Sequence, residues 1–179
     1  MGGLRAGTAG PRTAGGHAGL GRCAGPGVQP DPAAEADRPE GLLFGSHRGS
    51  RKGRDFAERP FGSITFYWRE TLQQINLAGP VVALDDDASD ALFQARPVAA
   101  QATTAISQQS RPLVDEAELR SGAAELAATS GTVPRPDSWG AYQLQPQEIE
   151  FWHGSADRLH RRLRYDLVDE QWTPVRLQP

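Results

Sequence analysis

Apolar residues recur along this chain at two different periods, and the change of period divides it. From Gly41 onward, short runs alternate or cluster as strands do. Leu42-Leu43-Phe44 reads as a short strand. Ser63–Trp68 alternates and is rich in β-branched and aromatic residues, which fit a pleated surface. Arg69-Glu70 reads as a turn, and Leu72–Leu77 as a strand continuing through Val81–Leu84, with a bulge or bend at Gly79-Pro80. Tyr142–Leu144, Ile149–Trp152, Leu163–Leu167 and Trp172–Leu177 are further strands, the last two joined as a hairpin by Asp169-Glu170.

Helical spacing occupies the middle. Asp85-Asp86-Asp87 before Ala88–Ala95 marks a helix start, with acids at the positive end of the dipole. Pro97 fits the first turn of a second helix. Asp115–Thr129 is the clearest helix, with Leu119, Ala123 and Leu126 on one face and Gly131 as its stop. Asp55–Arg59 makes a short helix ended by Pro60, whereas Ser46–Gly53 reads as a polar loop. The sum is an α+β, mainly β domain with mid-chain helices.

Composition separates this domain, 41–179, from a head, 1–40, that is dominated by Gly, Ala, Arg and Pro and has no aromatic residue. Such a segment buries too little apolar surface to offset the entropy of ordering. It is expected to be a disordered tail, or the product of a wrong start or frame in GC-rich DNA; a structured targeting segment fits it least. The net charge of −3 points away from nucleic acid. The single cysteine, Cys23, excludes a disulfide framework and argues against a cysteine-based metal site. Neither a membrane-spanning run nor the apolar core of a signal peptide is present, so a cytoplasmic location is expected.

Four segments carry candidate chemistry. Ser50-Arg51-Lys52-Gly53, beside Arg54, offers forked and point-charge donors to a phosphate; the alternative is a solvated basic loop. Gln73-Gln74 lies in an aromatic-rich strand pair, where an amide can read the edge of a ring, or simply face water. Ser107–Pro112, with Gln109 and Ser110, reads by itself as a polar loop. Glu150–Gly154 followed by Arg158–Tyr165 brings an aromatic beside cations. Alternation from an early strand start would put Arg158, His160 and Arg162 on one face, suited to an anionic planar ligand; the alternative is an exposed basic strand. The histidines show no metal-ligand spacing, so no metal site is expected. Phosphate-loop, dinucleotide and nucleophile-elbow motifs are absent.

In this order the segments resemble the pyridoxamine/pyridoxine 5′-phosphate oxidase family. The most specific pieces are SRKGRDF at Ser50–Phe56, QSRP at Gln109–Pro112, PRPDSWGAY at Pro134–Tyr142, IEFWHG at Ile149–Gly154, RLHRRLRY at Arg158–Tyr165 and the terminal RLQP. Tyr67–Thr71 with Gln73-Gln74-Ile75, and RLRYD with RLQP, are similar to the related phenazine-biosynthesis flavin oxidases. The resemblance implies a split β-barrel homodimer with FMN at the interface. Arg51 and Lys52 would contact the FMN phosphate and Gln74 the flavin; Gln109 and Ser110 would reach the FMN of the other subunit. Trp152 and Arg162 would complete the flavin pocket. Arg158 and His160 would be the catalytic, substrate-contacting pair, with Arg96 also on the substrate, a small planar and phosphorylated molecule. A hydride would pass from substrate C4′ to the flavin, and O2 would reoxidise it to give H2O2 and pyridoxal 5′-phosphate. A phenazine-type flavin oxidase and a non-catalytic flavin-binding dimerisation module are the alternatives.

Two positions depart from the vitamin B6 pattern. A family tyrosine is replaced by Leu92 and a family serine by Ala100, while Arg96 is kept. Losing two hydroxyl donors weakens phosphate recognition by about 1–3 kcal/mol if acceptors go unpaired. The head also lacks the arginine- and lysine-bearing pattern of the family's first strands, so the barrel is expected to lack those strands and to present an open edge.

Overall fold

The computed structural model describes residues 41–129 and 131–179, so the expectations for the head lie outside the described residues. Seven strands and four helices follow the order β1 (Leu42–His47), α1 (Arg51–Glu58), β2 (Phe61–Trp68), β3 (Gln73–Ala83), α2 (Asp86–Gln94), α3 (Val98–Ile106), α4 (Glu116–Thr129), β4 (Trp139–Leu144), β5 (Glu148–His153), β6 (Arg161–Val168) and β7 (Gln171–Leu177).

The strand alternation works as a face code. In β2, Ile64 is buried while Ser63, Thr65 and Tyr67 are exposed. All pairings are antiparallel, and the long strand β3 belongs to two sheets. Its first part, Gln73–Ala78, lies between β2 and β5, and β6 and β7 extend that sheet. Its last part, Val81–Ala83, pairs with β4, which pairs in turn with β1. Gly79-Pro80 therefore does not end the strand but hands it from one sheet to the other. A Cβ at Gly79 would collide with the carbonyl of Gln145, which is why glycine stands at the crossing. Among the described residues, β1, β2 and β7 each pair with a single strand and are edge strands, while the expectation of missing first strands concerns residues 1–40 and lies outside the described residues.

Two apolar clusters hold the layers together. Phe44, Ile64, Val81, Tyr142 and Leu144 fill the space between the sheets, with Phe44 stacked on Tyr142 at 5.6 Å. Phe93, Ala102, Val133 and Trp139 pack α2 and α3 against the start of β4, with Phe93 edge-on to Trp139 at 5.2 Å. Leu92 packs on this second cluster, so the residue that replaces the family tyrosine serves the core.

PRPDSWGAY is a structural clamp. Arg135, with a side chain 9% exposed, donates to Asp90 at 2.5 Å and Asp86 at 2.9 Å on α2. It also donates to the Trp139 carbonyl at 2.7 Å. Its guanidinium is thereby held above the ordinary arginine pKa, chiefly by the hydrogen bond to Asp90. The hairpin at Asp169-Glu170 is present, with both residues at positive φ (49° and 62°), as a two-residue turn of this hand requires. Helix α2 is capped by Asp85, whose carboxylate accepts from the Ala88 N–H at 2.8 Å, as the acidic run anticipates.

Candidate functional site

The first cluster forms where β1 meets α1. The expected loop at Ser46–Gly53 is instead a strand end, a tight turn and the first turn of a helix. Ser50 is the N-cap, its hydroxyl accepting from the Gly53 N–H at 3.1 Å. The helix can start here because Gly53 is buried against the turn, and a Cβ would meet the carbonyls of His47 and Arg48. Arg51 and Lys52 thus stand in the first turn of a helix, where free amides and the dipole favour an anion. Among the described residues, no carboxylate forms an ion pair with either side chain. Partial burial lowers the Lys52 pKa, so its ammonium lacks full hydration.

Gln109 and Ser110 join this cluster within the same chain. Gln109 Oε1 accepts from the Ser46 hydroxyl at 3.2 Å and the His47 N–H at 3.3 Å. Ser110 Oγ accepts from the Arg51 N–H at 3.2 Å. Within one chain, the 108–111 turn is thus tied to the same cradle that presents Arg51 and Lys52. Ser46 and His47 were missed, and Ser50 was counted with the phosphate segment without its role as a helix cap. A serine directly before the first helical residue is the signal that could have shown that role. His47 carried no such signal. It is buried, and its Nδ1 pairs with Ser138 Oγ at 3.1 Å. Burial lowers its pKa, the Thr104 backbone opposes this by hydrogen bonding, and the charges of Arg96 and Lys52 lower it further.

The second cluster is a concavity of about 910 Å³ at one end of the β2-β3-β5-β6-β7 sheet, lined by residues that include Trp68, Gln74, Trp152, His160, Arg162 and Leu177. Register explains the grouping. Gln74 lies opposite Trp152, Trp152 opposite Arg162, and Arg162 opposite Leu177, so four strands present one row on one face. Arg162 is held by Glu150 in a fork, with bonds of 2.7 and 3.0 Å. That hydrogen bond raises the Arg162 pKa. A charged donor is thereby fixed at the rim, beside an aromatic wall and an amide.

One expectation about this region is overturned. Strand β6 begins at Arg161, so Arg158, His160 and Arg162 do not share a strand face. Arg158 sits in the preceding turn at φ 68° and is exposed. His160 lines the concavity, its ring 5.0 Å from that of Trp152. Arg96 does not line it. Its guanidinium lies 5.4 Å from the Trp139 ring and 5.8 Å from the Phe93 ring, and donates to Thr104 Oγ1 at 2.8 Å. The two clusters share no lining residue within one chain.

Comparison with known proteins agrees with this architecture. A family model described as pyridoxamine 5′-phosphate oxidase matches residues 23–130, and one described as the pyridoxine 5′-phosphate oxidase C-terminal dimerisation region matches 139–179. The first match begins inside the low-complexity head. A dihydrophenazinedicarboxylate synthase of Pseudomonas chlororaphis is 44% identical over 139 residues, covering 78% of this chain and 63% of that protein. A pyridoxine/pyridoxamine 5′-phosphate oxidase of Pseudomonas fluorescens is 41% identical over 145 residues, covering 78% of this chain and 66% of that protein. The chain thus spans about two-thirds of the length of these relatives. Among solved structures, PhzG from Burkholderia lata, in complex with tetrahydrophenazine-1-carboxylic acid, aligns with a TM-score of 0.71 at 45% identity, covering 78% of this chain and 69% of that one. A pyridoxamine 5′-phosphate oxidase-related, FMN binding protein from Nostoc punctiforme aligns at 0.63 with 18% identity, covering 80% of this chain and 75% of that one, which supports the fold. No helix among the described residues is long and apolar enough to cross a membrane. Family matches along both parts of the described domain, on a sheet whose β3 joins two layers, place this chain in the pyridoxamine 5′-phosphate oxidase family of flavin oxidases.

Proposed function

We propose that this chain is an FMN-dependent oxidase whose cofactor is held between two copies, the phosphate by one and the ring by the other. The observation that carries this reading is the division of the site. A cationic helix start and an aromatic, amide-lined concavity are both present, yet no residue lines both. Symmetric pairing of two chains would bring each cluster to its complement.

The residues present suit FMN. Arg51 and Lys52 would hold its phosphate at the N-terminus of α1, supported by Gln109 and Ser110. Gln74 would read the ring edge, Trp152 would wall the pocket, and Arg162 would present a fixed positive charge. When bound, FMN supplies the hydride acceptor, and O2 restores it with release of H2O2. The protein contributes orientation: substrate must be stacked at near-attack distance, about 3–3.5 Å. His160 and Arg158 would hold the substrate there.

For the substrate, a partly reduced tricyclic carboxylate of the phenazine type is the favoured reading. Leu92 is a core residue and Ala100 has no hydroxyl, so the phosphate subsite of the vitamin B6 enzymes is depleted. The PRPDSWGAY segment, which is similar to those enzymes, speaks for the vitamin B6 reading, but its Arg135 serves to clamp α2. Retention of Arg96 favours a second reading, pyridoxamine or pyridoxine 5′-phosphate. A substrate panel under air with peroxide detection, paired with anaerobic bleaching of the flavin, tests both. Faster bleaching by reduced phenazine carboxylates supports the first; production of pyridoxal 5′-phosphate at a higher kcat/KM replaces it with the second. Retained flavin colour without turnover on any compound would leave a binding module only.

A further inference from the structure

The turn between β5 and β6 is built around one aspartate. Asp157 accepts from the Ser155 hydroxyl at 2.5 Å and from the Leu159 N–H at 3.0 Å. These bonds hold its carboxyl below the usual range, the Ser155 contact first. Inside the same turn, the Arg158 N–H donates to the Ser155 carbonyl at 3.1 Å and the His160 N–H to the Arg158 carbonyl at 2.9 Å. Arg158 adopts φ 68°, a conformation costly to an arginine unless its neighbours over-determine it. The last bond of the turn reaches a side chain: the Ser155 N–H donates to His160 Nδ1 at 3.1 Å.

That bond has a chemical consequence. An imidazole that accepts at Nδ1 carries its proton on Nε2. His160 therefore offers the concavity a hydrogen-bond donor from a ring braced against Trp152. Asp157 is exposed and touches neither the concavity nor His160 through a hydrogen bond; it reaches His160 through Ser155 and the backbone.

We propose that Asp157 is a positioning residue: it staples the 155–160 turn, fixes His160 as the Nε2–H tautomer, and so presents a preset donor to an acceptor oxygen of the substrate. This rests on the reading that His160 meets substrate. The consequence for substrate class is that the group opposite His160 is an acceptor such as a carboxylate or phosphate oxygen, and not a protonated amine.

The test uses FMN-loaded full-length protein carrying Asp157→Ala or Asp157→Asn, with imidazole 15N chemical shifts and amide hydrogen exchange as readouts. The wild type is expected to show a single His160 tautomer protonated at Nε2, with slow exchange at Ser155 and Leu159. Asp157→Asn keeps an acceptor oxygen and should preserve both signatures. Asp157→Ala should give mixed tautomers and fast exchange at both amides, with unchanged FMN affinity and a raised KM for a carboxylate substrate. An alanine variant with an unchanged His160 spectrum and unchanged exchange overturns the proposal. Failure of the underlying reading looks different: His160→Ala would leave KM and kcat untouched while the wild-type tautomer remained as described.

Discussion

Replacing Arg135 by alanine removes a clamp without touching either cluster of the candidate site. The nearly buried guanidinium loses its bond to the Trp139 carbonyl, a charge-assisted hydrogen bond of 2.7 Å, costing about 1.5–3 kcal/mol. The pairs to Asp86 and Asp90 involve carboxylates that are 74% and 58% exposed, so each adds only about 0.2–1 kcal/mol. Lost packing of the alkyl stem adds to this. The expected cost is about 2–4 kcal/mol, and a chain of 179 residues loses roughly 2–4 °C of Tm per kcal/mol. Thermal unfolding of the flavin-loaded protein should therefore shift down by roughly 4–16 °C. Arg135→Lys keeps the charge but not the fork and should fall between alanine and wild type. The ratio of kcat/KM values across the substrate panel should not move. An alanine variant with Tm within about 2 °C of wild type but an altered substrate ranking would refute the clamp. It would assign PRPDSWGAY a role in choosing the substrate.

Three further outcomes follow from the site. Arg51→Ala and Lys52→Ala should each weaken FMN by roughly tenfold or more, about 1.4 kcal/mol, in fluorescence titrations, while riboflavin, which lacks the phosphate, binds as before. Glu150→Gln frees the Arg162 fork and should speed flavin dissociation without changing affinity for inorganic phosphate; stopped-flow release measures it. The His47 pKa is lowered, chiefly by burial, so as pH falls below its ordinary value of 6.5 the unfolded chain binds more proton than the folded chain. Stability should then rise with pH across the window below 6.5, and His47→Gln should flatten that limb in denaturant titrations at several pH values.

Much of this architecture was legible because burial follows the strand period. Ser63–Trp68 and Ile149–Trp152 each fall within an observed strand, and Asp115–Thr129 anticipates α4 to within one residue. What sequence could not show is where long-range pairing overrides local signals. Ser50-Arg51-Lys52-Gly53 reads as a loop because glycine and charge resemble one, but the Ser50 cap and the buried Gly53 turn it into a helix start. Arg158 and His160 read as strand residues by spacing, but Asp157 closes a turn there. Gln109 and Ser110 read as a polar loop, and only the hydrogen bonds to Ser46, His47 and Arg51 reveal that this loop packs on the start of α1. His47 was invisible because its importance comes from Ser138, Arg96 and Lys52, residues far apart in the chain or on different elements.

The division of the flavin site between two copies is tested most directly by mixing two defective chains. One carries Arg51→Ala and Lys52→Ala; the other carries Gln74→Ala and Arg162→Ala. Each alone should bind FMN poorly. After co-expression, a mixed dimer joins the intact cradle of one copy to the intact concavity of the other at one of its interface sites. Flavin binding is then expected to return at about half occupancy in purified mixed dimers. Mixed dimers that bind no more FMN than either parent would contradict the account, placing both halves of the site in one chain.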